Sequence, residues 1–227
     1  MLRPDKQATP VREDIPVITR QRFWFPVALL IILSGCAATL RTSDCSDSTQ
    51  QATYQENEEW VWRTTGGHEI AERVGWLDEE NVYLYTSIDG EQTGQKGIQG
   101  KDEVITMTNR LITRSEKSWD FPLQVGKGWR YVQTYYPRGG GPMILETHRR
   151  EVVTCEFIQT PAGAFSALKI LDTKSDDPVI SYYSWYAPNL KQVVKREYVQ
   201  GGPRPMTADE QGAELIRYRL KQAQENP

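Results

Sequence analysis

Trp129-Arg130-Tyr131-Val132-Gln133-Thr134-Tyr135-Tyr136 decides the fold. Its side chains sort into two sets with a period of two, Trp129, Tyr131, Gln133 and Tyr135 against Arg130, Val132, Thr134 and Tyr136. An α-helix would repeat every 3.6 residues and mix these sets; a strand keeps them on opposite faces. Aromatic and β-branched side chains suit a pleated surface, so the stretch reads as a strand. Moving outward, Val179–Tyr186 alternates in the same way, with Tyr183 and Trp185 on one face and Tyr182 and Tyr186 on the other. Val82, Leu84, Thr86 and Ile88 share a face, as do Trp60 and Trp62.

Turn residues separate these runs: Thr64–Gly67, Asp78–Asn81, Asp89-Gly90, Gly97–Gly100, Pro137–Pro142 and Asp176–Pro178. Such close spacing predicts antiparallel hairpins, not βαβ units. The fold class is therefore all-β: an antiparallel twisted sheet of about ten strands, curled toward a barrel or half-barrel. Two readings of the C-terminus stay open. Thr207-Ala-Asp-Glu210 has the form of a capping box, which allows a short C-terminal helix. Ile216, Tyr218 and Leu220 alternate, which favours a last strand over 213–221.

The N-terminus has different chemistry. Arg20 and Arg22 precede an apolar run, Phe23–Leu33, that ends in Leu33-Ser34-Gly35-Cys36. That run is too short for a membrane span, which needs about 20 apolar residues, and suits the core of an export signal. Small residues at 34 and 35 before a cysteine have the form of a lipobox. Leu33, Ser34 and Gly35 would be read by the signal peptidase, and the Cys36 thiolate would accept a diacylglyceryl group. Several acyl chains together anchor stably where one does not. Ala37, where an Asp would favour retention, points to the outer membrane, with the domain facing the periplasm. The organisation expected is a signal peptide at 1–35 and a flexible tether at 36–58, too polar to offset its chain entropy. A single β-rich domain follows at 59–221, with a tail at 222–227.

Composition excludes some roles. The net charge is −3, with no basic block, so a nucleic-acid partner is not expected. Three cysteines are present, Cys36, Cys45 and Cys155. An oxidising envelope permits a Cys45–Cys155 disulfide, but two positions do not reveal pairing. Cys155, after Val152-Val153-Thr154, reads instead as a small buried hydrophobe.

Catalytic chemistry is scarce. His68-Glu69-Ile70-Ala71-Glu72 is only loosely similar to a zinc-binding helix and lacks the second histidine. With His148 as a third ligand, His68 and Glu72 could form a metallohydrolase site, a remote alternative beside the reading as exposed strand residues. No cofactor and no metal are expected. Aromatics on both faces of a strand raise another possibility, that Trp129, Tyr183 and Trp185 line a cavity for an apolar ligand. The competing reading is that they fill a thick core.

One longer pattern spans residues 119–199. It comprises Phe121-Pro122-Leu123, Val125-Gly126-Lys127-Gly128-Trp129 and Tyr131, then Pro161-Ala162-Gly163-Ala164-Phe165, Lys169-Ile170, Trp185-Tyr186-Ala187-Pro188 and Val193-Val194-Lys195. This order resembles the uncharacterised TapB-like family of bacterial envelope proteins. The resemblance implies a β-rich domain outside the cytoplasm and no established activity. Thr160, Ala164 and Asn189-Leu190-Lys191 depart from the family pattern.

The function these features imply is a lipid-anchored envelope protein, not an enzyme, whose β domain binds or contacts another envelope component. The alternative is a carrier or sensor of an apolar ligand such as a lipid. Its partners would be the membrane, through the anchor, and a protein or apolar small molecule.

Overall fold

The computed structural model describes Cys45 and residues 53–99, 103–108, 110–175, 181–199 and 211–221. Twelve strands follow one another: β1 (Glu59–Thr64), β2 (Glu69–Leu77), β3 (Asn81–Ile88), β4 (Glu91–Gln99), β5 (Glu103–Thr108), β6 (Leu111–Glu116), β7 (Gly128–Pro137), β8 (Ile144–Thr160), β9 (Gly163–Lys174), β10 (Ser181–Ala187), β11 (Gln192–Tyr198) and β12 (Gly212–Arg219). Each pairs antiparallel with the next, and β12 returns to β1, with Glu59 opposite Arg219 and Thr64 opposite Ala213. The sheet is a closed barrel, and closure removes the exposed edges on which another chain could pair.

The last strand, β12, lies where the alternation of Ile216 and Tyr218 placed it. Residues 207–210, the capping box, lie outside the described residues. Twelve strands exceed the ten or so expected, and the stretch over β4 to β6 carried the weakest strand signal. Gly97, expected in a turn, sits inside β4 between Tyr83 and Ile105. Polar β4 (Glu91-Gln-Thr-Gly-Gln-Lys-Gly-Ile-Gln99) carries little apolar alternation, so its neighbours decide its state. The glycines serve those neighbours. A Cβ on Gly75 would lie 2.3 Å from the Tyr85 ring, and one on Gly94 would lie 2.4 Å from the Met107 carbonyl oxygen. Because Met107 is backbone, Gly94→Ala forces the β4–β5 ladder to shift. The expected loss is about 1–3 kcal/mol in a denaturant titration, and an unchanged midpoint would refute the close approach.

The Asp89-Gly90 turn matches its sequence signal. Both residues have positive φ, +50° and +85°, as a two-residue hairpin between twisted strands requires.

Two apolar clusters fill the core. One gathers Trp60, Val74, Leu84, Phe165, Trp185, Leu190 and Leu215. The other joins Trp129, Val152, Leu168, Ile170 and Tyr186 to Leu123, from the connection between β6 and β7, and to Cys45. Cys45 and Cys155 form a disulfide across 110 residues of sequence, with Cα atoms 6.0 Å apart. This corrects the reading of Cys155 as an unpaired hydrophobe. The pairing is invisible in sequence because only the packing around Leu123 and Leu168 brings the two together.

Attachments also occur within the stretch expected as a tether. The Tyr54 ring meets Trp60 edge-on at 5.8 Å, and its hydroxyl donates to the Lys191 carbonyl at 3.2 Å. Glu58, fully buried, holds the Lys191 ammonium at 2.9 and 3.1 Å. Residues 36–44 and 46–52 lie outside the described ones.

Exposed ion pairs stud the outer face of neighbouring strands: Arg63 and Arg217 on Glu69, each at 2.9–3.0 Å, and Lys195 on Glu214 at 3.0 Å. A barrel surface facing lipid would present an apolar band there.

Candidate binding cavity

A cavity of about 340 Å³ lies within the barrel. Its lining comes from nine strands: Trp62 (β1), Ile70 and Glu72 (β2), Lys96 (β4), Val104 (β5), Ser115 (β6), Tyr131 and Gln133 (β7), Arg150 (β8), Gln192, Val193 and Arg196 (β11), and Ala213 (β12). Contributions from strands all around the sheet place it in the lumen. Cross-strand partners recur in the lining, Trp62 opposite Ile70, Val104 opposite Ser115, Ser115 opposite Gln133 and Arg196 opposite Ala213, so one face of the sheet supplies it. Ser118 and Trp119 complete it from the β6–β7 connection. Lys127 pins that connection, its ammonium 3.0 Å from the Asp120 carboxylate and 3.0 Å from the Pro122 carbonyl.

One wall is a buried ionic network. Arg150 Nε donates to Asp172 Oδ2 at 2.7 Å, and the Tyr131 hydroxyl donates to the same oxygen at 2.9 Å. His148 Nδ1 lies 3.2 Å from Asp172 Oδ1, and its ring stacks on Tyr131 at 4.8 Å. The guanidinium of Arg150 lies 4.9 Å from the Trp119 ring centre and 4.5 Å from that of Tyr131, and donates to the Ser118 carbonyl. Aromatic faces thus stabilise a cation that burial would otherwise penalise. Burial alone would raise the Asp172 carboxyl. The Arg150 charge and the hydrogen bonds from His148 and Arg150 outweigh it and hold Asp172 well below the usual carboxylate range. Burial pushes the Tyr131 phenol up, helped by Asp172 and opposed by the charges of Arg150 and Arg196.

Across the lumen, Glu72 takes the Lys96 ammonium at 3.0 and 3.1 Å and the Gln192 amide at 3.3 Å. Trp62 donates its indole N–H to the Val193 carbonyl at 2.7 Å, leaving its apolar body to the cavity. The lumen therefore combines Trp62, Ile70, Val104, Trp119 and Val193 with paired charges. Such a mixture suits a ligand with an apolar body and a polar end.

The aromatics singled out in the sequence sit elsewhere. Trp129 and Trp185 are buried in the two apolar clusters, and Tyr183 packs against the first of them. There Lys169 caps the rings of Tyr183 and Trp185 at 4.4 and 5.0 Å. Of the three, none lines the cavity. Cys36, Leu33, Ser34 and Gly35 lie outside the described residues. The three conceivable metal ligands are not brought together: His68 pairs with Asp89 at 2.6 Å, Glu72 with Lys96, and His148 with Asp172. Among the described residues no group of three or more His, Cys, Asp or Glu is placed to hold a metal ion.

Sequence reasoning missed Arg150, Asp172, Trp62 and Trp119 as site residues. The available signal was faint: Asp172 follows Leu168 and Ile170 on one strand face, a carboxylate on an otherwise apolar stripe. A charge in such a place needs a buried partner.

No family model matches the chain, and no curated protein matches it; the TapB-like resemblance is therefore not among these findings. Two solved structures are similar. One is a protein of Bacteroides fragilis NCTC 9343, described as exported and as having a YmcC-like fold. It is 17% identical over 73% of this chain and 97% of its own, with a TM-score of 0.49. The other is from Parabacteroides distasonis ATCC 8503 and is described as a lipoprotein. It is 16% identical over 76% of this chain and 100% of its own, with a TM-score of 0.44.

Proposed function

We propose that the chain is a lipid-anchored protein of the bacterial envelope whose barrel is a non-enzymatic binding module for a small amphipathic ligand. The luminal cavity carries this reading. A lumen filled for stability alone would be closely packed, whereas ligand sites typically span about 300–1,000 Å³ with a few polar groups in apolar walls. Export is supported by the Cys45–Cys155 disulfide, since such bonds persist in oxidising compartments. The anchor rests on Leu33–Cys36, and Ala37 favours the outer membrane, facing the periplasm. The non-enzymatic reading is supported by the commitment of His68, Glu72 and His148 to separate ion pairs.

Native mass spectrometry of the full chain released from envelope membranes tests the binding role. The expected spectrum contains a releasable small-molecule mass that disappears in Ala213→Trp, which fills the lumen. A bare mass in the parent protein would count against the proposal. The anchor has its own test: Cys36→Ala should move the protein from the membrane pellet to the soluble fraction, and continued sedimentation would refute lipidation there.

A second reading, contact with an envelope protein, is favoured by Met143, Ile144 and Leu145 at the start of β8, each at least 50% exposed. Exposed apolar clusters commonly mark interaction sites. A photocrosslinker at position 144 that yields no reproducible adduct in cells would dismiss it.

A further inference from the structure

We propose that the luminal ligand is an organic anion, a carboxylate or phosphate ester, with its charge between Arg196 and Arg150 and its apolar body against Trp62 and Trp119. This rests on the luminal binding reading above. The argument is a charge inventory. Lys96 is neutralised by Glu72 at 3.0 Å, and Arg150 by Asp172 at 2.7 Å. Arg196, an exposed residue, also lines this cavity and forms no ion pair or hydrogen bond with any described residue. Its neighbouring carboxylates are taken, because Lys195 holds both Glu197 and Glu214, at 2.6 and 3.0 Å. Among the described residues the cavity lining thus carries one unpaired cation, an exposed one.

Hydrogen-bonding capacity is also left over at the same place. Of the five N–H donors of a guanidinium, Arg150 directs three at Asp172, Ser118 and Tyr131. The Ser118 hydroxyl, in a residue only 6% exposed, lines the cavity and has no hydrogen-bond partner among the described residues. Buried polar groups are ordinarily satisfied, so an unpaired hydroxyl beside an aromatic-clamped arginine marks a place for an acceptor. Both arginine charges act on the Tyr131 hydroxyl, so their fields overlap at that wall. An anion there would gain charge-assisted hydrogen bonds from Arg150 and Arg196 and accept from Ser118. Trp62, Ile70, Trp119 and Val193 supply apolar surface in the same lining, beside the polar Ser115, Gln133 and Gln192, which fits an apolar body joined to a polar end.

Isothermal titration of the full chain in lipid nanodiscs, corrected with empty nanodiscs, tests this with hexyl phosphate, hexyl glucoside, hexylammonium and inorganic phosphate. Hexyl phosphate should bind at least about ten-fold more tightly than the neutral or cationic probe, as one or two charge-assisted bonds imply. Arg196→Gln and Ser118→Ala should each weaken hexyl phosphate, Arg196→Gln by about ten-fold. Arg217→Gln, on the outer face, should leave it unchanged. Equal affinity for hexyl phosphate and hexyl glucoside, or an unaltered Arg196→Gln, overturns the anion and leaves a luminal ligand standing. Inorganic phosphate binding as tightly as hexyl phosphate overturns the apolar body. If no probe binds, the luminal binding reading falls with it.

Discussion

Removing the disulfide, as Cys45→Ser with Cys155→Ser, is expected to lower the unfolding free energy by about 4.7 kcal/mol, the chain-entropy value for a loop of about 100 residues. The bridge closes a loop of 110 residues, from ahead of β1 to within β8. In the unfolded chain it removes a large share of conformational freedom. In the folded chain it ties Cys45 to the Trp129–Ile170 cluster, where Cys45 is 7% exposed. Guanidinium titrations of the oxidised protein, the reduced protein and the double serine variant measure the effect. Reduced protein and double variant should unfold at similar, lower midpoints. Coincidence of all three curves would show that the Cys45 attachment contributes nothing to barrel stability.

The second large effect belongs to Arg150 and Asp172. Breaking a buried ion pair by removing one partner costs about 3–5 kcal/mol, because the other charge is left uncompensated. Arg150→Met should therefore destabilise by this amount, and Asp172→Asn by a similar one. The double variant Arg150→Met with Asp172→Leu should recover much of the loss, since no orphan charge remains. Recovery will be incomplete because Tyr131 and His148 lose their acceptor.

The same pair sets a pH dependence. The folded-state pKa of Asp172 is depressed below its unfolded value, so the folded protein binds the proton less readily than the unfolded chain. Its contribution is complete above about pH 5 and is lost as pH falls through the unfolded value near 3.9 toward the lower folded one. Wild-type stability should fall on acidification below about pH 4, and Asp172→Asn should flatten that slope. A variant that retains the full acid slope would assign it to other carboxylates.

The period of two at Trp129–Tyr136 and Val82–Ile88 was sufficient to predict the fold class, because side-chain alternation is a local property of a strand. Asp89-Gly90 identified a hairpin for the same local reason: positive φ at consecutive residues is a demand on residue type. Strands β4 to β6 were harder to see. Gly94 and Gly97 belong in a strand only because Met107 and Tyr83 press close, which is a fact about neighbours. The aromatics at 129, 183 and 185 suited a thick core and could also have lined a cavity, since hydrophobicity does not say which side of a sheet is empty.

From sequence alone come the antiparallel β architecture, the last strand at its C-terminus and the expectation of an anchor at Cys36. Closure of the barrel by β12 on β1, the Cys45–Cys155 bridge and the luminal cavity depend on contacts between residues far apart in the chain. Arg150 meets Asp172 across 22 residues, Trp62 meets Val193 across 131, and Cys45 meets Cys155 across 110. The β8–β9 register sets Arg150 against Asp172 and closure of the barrel brings Trp62 to Val193, so tertiary structure decided which charges were neutralised in the lumen and left Arg196 with no counterion among the described residues.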